Sequence, residues 1–287
     1  MSTDVATRTR AIVYRTRGMK HGPIARLVSP GDLGEFLKPF VFLDLFGFDT
    51  EGGHRGFGMH PHSGIATLTW LIEGDTLYED TTGEQGVLRG GGVEWMRAGN
   101  GVWHTGAPAP GVQRVRGFQL WVALPASEEN APAQSIYLAP SQVPREGPAR
   151  VLLGSYGAAR SAIPAPAPIN YLAVQLKDGE HWRYTPPAGH TVGWLAVESG
   201  RLDAGDEAGG SIGDGELAVF EESGEAIDLV AHGDTSFVLG SAVKHPHELV
   251  MGHYSVHTSR ATLDQGEAEI RRIGAKLRQE GRLGRAA

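Results

Sequence analysis

Cysteine is absent from this 287-residue chain. Disulfides, thiolate metal sites and cysteine nucleophiles are therefore excluded, and a reducing compartment such as the cytoplasm is the expected location. No stretch approaches the roughly 18–20 consecutive apolar residues of a membrane-spanning helix. The first ten residues, Met1 to Arg10, lack the apolar core of a secretory signal. A basic excess is missing too: 26 Lys and Arg stand against 33 Asp and Glu, a net charge of −7. Direct nucleic-acid binding, which needs basic groups to displace counterions, is not expected. Helical periodicity is scarce outside the C-terminus.

What the chain has in excess is glycine. The 41 glycines are about twice the usual ~7% share, and with 17 prolines they predict many tight turns between short strands. The runs Thr67–Ile72, Phe118–Leu124 and Tyr171–Leu176 are rich in β-branched and aromatic residues, and turn residues end each of them. Their regular recurrence predicts an all-β sandwich or barrel.

The two halves resemble each other. Thr67–Gly74 matches Thr191–Glu198, with Trp70 against Trp194, an offset of 194 − 70 = 124. Gly91–Glu94 matches Gly213–Glu216 at an offset of 122. Between them lies a stiff proline-rich connector, Ser161–Pro168. A duplicated β-domain follows, with residues 1–145 and 146–287 as the two parts and the boundary between 140 and 168. At the far end, Leu263, Ile270, Ile273 and Leu277 share one helical face, and Thr262 with Gln265 forms a candidate capping box. A short C-terminal α-helix is expected, its basic residues (Arg271, Arg272, Lys276, Arg278, Arg282) on a solvated face.

Chemistry concentrates on three histidines. His60 and His62 stand one residue apart in Gly58-Met-His-Pro-His-Ser-Gly64, and on a strand such residues point to one face. His104 follows forty-two residues after His62, behind the glycine-rich run Gly90–Gly101. Three imidazoles from adjoining strands can hold one divalent metal ion. The repeat sharpens the point. At the same offsets His60 falls on Tyr184, His62 on Pro186 and His104 on Ala226, so the second half lacks the triplet.

These motifs, with Leu37–Gly47, Trp70–Gly74, Gly92–His104 and Gly117–Pro125, resemble the pirin family of bicupins over about residues 10–145. The resemblance implies two cupin-type β-barrels. The N-terminal one would hold a single metal, commonly iron, with nickel, manganese, cobalt, copper and zinc as the other candidates; the C-terminal one would hold none. It also implies either dioxygenase activity on quercetin or a similar enolisable aromatic, or a redox-sensing regulatory role toward a transcription factor or metabolic enzyme. A monomer is expected.

This chain departs from the family pattern at two acids. The glutamate expected two residues after the third histidine is Gly106, and the one expected four residues after the second is Ala66. Thr105 should point away from His104 on a regular strand. Glu94 is the acid best placed by motif to fill the vacancy, the alternative being a surface or structural glutamate. Phe42, Phe46, Phe57, Trp70, Trp95, Trp103 and Trp121 suit either a flat-substrate pocket or a barrel core. His245-Pro-His247-Glu248, near His253 and His257, reads as a loop and not a second metal site. Gly99-Asn100-Gly101 reads as a hairpin turn and not a phosphate loop. His21, His54, His181, His190 and His232 have no partner spacing.

Overall fold

The structure, a computed structural model, describes residues 9–53, 56–204 and 210–283. His54 and most of the segment Met1–Arg10 lie outside the described residues. In chain order the strands are β1 (Ile12–Thr16), β2 (Met19–His21), β3 (Ile24–Val28), β4 (Phe40–Asp49), β5 (Phe57–His62), β6 (Ile65–Glu73), β7 (Thr76–Asp80), β8 (Gln85–Leu88), β9 (Val93–Arg97), β10 (Val102–Pro108), β11 (Arg114–Ala123) and β12 (Gln134–Leu138). They continue with β13 (Arg145–Glu146), β14 (Ala149–Leu153), β15 (Ser155–Tyr156), β16 (Ala159–Arg160), β17 (Ile169–Leu176), β18 (His181–Tyr184), β19 (Val192–Ser199), β20 (Arg201–Ala204), β21 (Ser211–Gly213), β22 (Leu217–Phe220), β23 (Ile227–Ala231), β24 (Thr235–Ala242), β25 (Val250–Gly252) and β26 (Ser255–His257). The helices are α1 (Leu33–Leu37) and α2 (Arg260–Gln279).

The chain forms two compact units, and their limits differ from the expected cut at 145. Of the described residues, the first comprises those within 19–144, 162–167 and 245–283, and the second those up to Gly18 with 145–161 and those within 168–244. Three segments therefore change sides: the described residues up to Gly18, the connector residues 162–167, and the described residues from His245 on. Strand β1 pairs with β22 and completes a sheet of the second unit, while β25, β26 and α2 pack on β5, β6 and β10 of the first. A linear reading cannot anticipate such exchanges, because sheet partners are set by long-range pairing.

In the first unit a seven-stranded sheet runs in the order β12-β9-β6-β11-β4-β3-β2, and a four-stranded sheet runs β5-β10-β7-β8. In the second the orders are β1-β22-β19-β24-β17-β14-β13 and β18-β23-β20-β21. These match strand for strand: β9 with β22, β6 with β19, β11 with β24, β4 with β17, β5 with β18 and β10 with β23. Each unit is a cupin-type barrel, and the chain is an all-β bicupin.

The register corrects the offsets read from sequence. Trp70 faces Val93 across β6 and β9, and Trp194 faces Val219 across β19 and β22. The counterpart of Glu94 is thus Phe220, not Glu216. Likewise His60 faces His104, and Tyr184 faces Ile227, so the counterpart of His104 is Ile227, not Ala226. Turns of unequal length on the way to β9 and β22 shift the alignment, which a fixed offset ignores.

The Gly99–Gly101 segment is not a hairpin. It carries the chain from β9 in one sheet to β10 in the other. Helix α2 is longer than expected and starts earlier. Ser259, in extended backbone, accepts a hydrogen bond from Thr262 N at 3.2 Å and is the N-cap, in place of Thr262 with Gln265. Its buried face is Leu263, Gly266, Ile270, Gly274 and Leu277, with Ile273 only half-buried. The glycines are there for close approach. A Cβ on Gly266 would lie 2.6 Å from Ser63 Oγ, and one on Gly274 would lie 2.7 Å from the Trp103 ring. The Trp103 indole N–H donates to the Ile270 carbonyl at 2.8 Å. The one-turn helix α1 was not expected; five residues give no periodicity to read. No helix among the described residues is long and apolar enough to cross a membrane.

Candidate metal centre

Strands β5 and β10 pair antiparallel, with His104 opposite His60 and Val102 opposite His62. Alternation on β5 puts both of its histidines on the inner face, and the register brings His104 beside them. His60 Nε2 and His104 Nε2 are 3.0 Å apart, and one nitrogen from each of the three rings lies within 4.8 Å of the others. The sequence-selected triplet therefore converges.

Each imidazole is held by its other nitrogen. His60 Nδ1 donates to the Gly58 carbonyl at 2.7 Å, His62 Nδ1 to the Tyr254 carbonyl at 3.1 Å, and His104 Nδ1 to Glu94 Oε1 at 3.2 Å. Three acceptors at Nδ1 select the tautomer that leaves the Nε2 lone pairs facing inward. Burial, then the neighbouring His104, pushes the His60 pKa down to about 4. Burial followed by His104 and His60 pushes His62 well below its usual value. Neutral rings are the ligating form. Nitrogens about 2.1 Å from one ion and at right angles around it lie about 3 Å apart, which is the His60–His104 spacing. Without a cation between them, two inward lone pairs at that distance repel. The donor set fits a divalent metal.

The histidines open onto a cavity of about 420 Å³ inside the first barrel. Its floor is a row of polar residues across five neighbouring strands: Arg26, Asp44, Gln119, Thr69 and Glu94, each opposite the next. Arg26 grips Asp44 with two hydrogen bonds, at 2.7 and 2.9 Å. Burial still pushes the Asp44 pKa up against the pull of Arg26. The Thr69 hydroxyl lies 2.8 Å from both Glu94 Oε2 and the Gln119 amide. Glu94 is buried and faces inward, but it reaches the centre only through His104. It supports a candidate ligand and does not take the vacant ligand position.

The aromatics divide. Phe42, Phe46, Phe57 and Trp121 line the cavity, whereas Trp70, Trp95 and Trp103 do not. Trp70 and Trp95 are buried core residues, and Trp103 packs against α2. Phe42 and Trp121 stack at 4.1 Å, the Arg26 guanidinium sits 4.1 Å above Phe42, and Trp121 abuts His62 with ring centres 4.9 Å apart. Gly106 lines the cavity two residues beyond His104. Thr105 donates to the Phe57 carbonyl at 2.7 Å, bridging an irregularity in the β5–β10 pairing, so its hydroxyl is spent there. Ala66 is fully buried in the core, away from the cavity.

His245–Glu248 is a loop. His245 is buried with its pKa pushed down to about 4, chiefly by burial, and it joins no ligand cluster among the described residues. His257 is buried against Ser63, with its Nε2 3.0 Å from Oγ. His190 meets Ser241 at 2.9 Å, and His232 meets Asp203 at 2.6 Å. Sequence reasoning missed Arg26, Asp44, Thr69, Gln119 and Tyr254. Alternation along Phe42-Leu-Asp44-Leu-Phe46 was the available signal for Asp44. Tyr254, which has left-handed backbone with φ 58°, lies 192 positions from His62 and gave no local signal.

A hollow barrel with three inward histidines, paired with a topological copy that lacks them, defines a bicupin of the metal-site type. The family model described as Pirin matches residues 24–122. Two relatives from Pseudomonas aeruginosa are named as candidate quercetin 2,3-dioxygenases. One is 33% identical over 252 residues, covering 84% of this chain and 88% of the relative. The other is 30% identical over 256 residues, covering 85% and 88%. The chain belongs to the pirin family. The solved quercetin 2,3-dioxygenase of Acinetobacter baumannii shares the fold at a TM-score of 0.84, with 24% identity, 92% of this chain and 97% of that one covered. The Escherichia coli pirin YhhW, solved in complex with nickel(II), does so at 0.65, with 18% identity and 82% and 98% covered.

Proposed function

We propose that the chain is a metal-dependent dioxygenase of the quercetinase type, acting on a flat, hydroxyl-bearing aromatic. The convergence of the three Nε2 atoms on one wall of an aromatic-lined cavity carries this reading. His60, His62 and His104 would hold one divalent ion. The family resemblance points to iron, and the nickel held by YhhW shows that a pirin barrel can bind another ion. Such an ion supplies Lewis acidity toward a substrate oxygen and, if redox-active, electrons for dioxygen.

The remaining work belongs to this chain's side chains. The edges of Phe42 and Trp121, with Phe46 and Phe57, give an aromatic ring an apolar wall to lie against. Arg26 and Asp44 neutralise each other and present both donor and acceptor atoms to ring substituents. Glu94 fixes the orientation of His104. Asp44 and Glu94 are the carboxylates the cavity offers to a substrate hydroxyl proton, since a base must lie within hydrogen-bond reach of the proton it takes.

Elemental analysis of the purified protein and of His62→Ala, followed by oxygen uptake with quercetin, tests the reading. The wild type should carry about one metal ion per chain and consume oxygen with the substrate, and the variant should do neither. Equal metal in both proteins would remove the proposed ligands. Full metal occupancy without oxygen uptake would leave a metal-binding protein that is not this dioxygenase.

A further inference from the structure

Beside the histidines the cavity wall is missing side chains at two adjoining places. Gly106 lies on the same face of β10 as His104, and Gly58 lies on β5 within the irregular stretch that faces it. A Cβ built on either residue meets nothing within 4 Å. The glycines are therefore not forced by close packing, and neither has a positive φ. They leave space open toward the cavity.

The charges around that space are unbalanced. The ligand set is three imidazoles, all neutral when they ligate. Glu94 stands behind His104 on its Nδ1 side, and Asp44 is gripped by Arg26. No carboxylate of the described cavity lining other than these two is available to the Nε2 side. A divalent ion held by three neutral ligands keeps most of its charge, which favours an anion beside it.

We propose that the space over Gly106 is a subsite for the carboxylate of a small aromatic acid, which supplies the anionic group the protein does not. The proposal rests on the three-histidine metal reading and adds to it the chemical class of the molecule bound. The ring of the acid lies against the apolar wall formed by Phe42, Phe57 and Trp121. A phosphate is disfavoured: it needs several donors converging on its oxygens, and the one guanidinium of the described cavity lining, that of Arg26, is engaged with Asp44.

The test uses the full chain loaded with cobalt(II), whose visible absorption reports its ligands. Benzoate should change the band in a saturable way, and its neutral isostere benzamide should not. Calorimetry should show benzoate binding at least about tenfold weaker, or not at all, in metal-free protein. Gly106→Glu should give the anion-bound spectrum without benzoate and no longer respond to it. An unchanged spectrum with benzoate, equal binding of benzoate and benzamide, or a benzoate response in Gly106→Glu equal to that of the wild type would overturn the proposal. Failure of the wild type to hold cobalt at the histidines would instead remove the metal reading beneath it.

Discussion

The two barrels have one topology and opposite interiors. On β18 and β23 the inward positions are Trp182, Tyr184, Ile227 and Leu229, which join Leu195, Phe220, Phe237 and Leu239 in one buried apolar cluster. On the matching β5 and β10 stand His60, His62 and His104, and Phe220 is replaced by Glu94. The inward side chains of the second barrel are apolar and buried against one another. The first keeps about 420 Å³ open and holds each of its three imidazoles separately, through the Gly58 and Tyr254 carbonyls and the Glu94 carboxylate. Filling a barrel gives stability without a site. Keeping it open requires a second set of residues to hold the first in place.

The largest expected effect tests the filled side. Phe237 is fully buried, and Phe237→Ala should cost about 3–5 kcal/mol by leaving a cavity that rigid neighbours cannot close. Phe46 also packs in a core cluster but borders a void that already exists. Phe46→Ala should cost roughly half as much, since the space it leaves merges with the pocket. Chemical denaturation of both variants makes the comparison. Equal losses would mean that the first barrel is packed as tightly as the second.

Acid should separate the barrels next. In the metal-free protein His60 binds a proton only near pH 4, whereas the unfolded chain binds it near the ordinary 6.5. Between those values the unfolded state holds more protons, so stability is complete above about pH 6.5 and is lost as pH falls toward 4, by up to about 3 kcal/mol for His60 alone. His62, His245 and His257 shift in the same direction within the first barrel, and in the second only His190 does among the described residues. Amide exchange at pH 7 and pH 5 should show β5 and β10 losing protection before β18 and β23. Uniform loss across the chain would contradict this.

The sequence showed the parts of this contrast that are local. Period-two spacing put His60 and His62 on one face, the paired tryptophans revealed the duplication, and the missing histidines marked the second half as different. What remained hidden was long-range. Nothing near residue 254 says that its carbonyl will meet His62, and nothing near β1 says that it will pair with β22. The buried face of α2 was half legible: Leu263, Ile270 and Leu277 announce themselves by hydrophobicity, but Gly266 and Gly274 act by having no side chain. Glu94 was legible as a candidate and not as a partner of His104, because the fixed-offset alignment set it against Glu216 when the register sets it against Phe220.

That misalignment supplies the finest test. Glu94 and Glu216 look equivalent in sequence, but Glu216 pairs with Arg15 at 2.8 Å and accepts a hydrogen bond from Gly213 N at 3.2 Å. Its pKa is pulled down by these contacts, although burial acts against them. Glu94 accepts from His104 and Thr69 inside the cavity. In Glu94→Gln the amide oxygen can still receive the His104 N–H, but the negative charge behind the ring is gone and the imidazole becomes a poorer donor to a metal. Metal affinity should fall by about 10- to 100-fold, read by competition with a chelator, while the fold persists. Glu216→Gln should leave metal affinity unchanged. If both variants bind metal like the wild type, Glu94 is only a buried structural residue and His104 needs no support from behind.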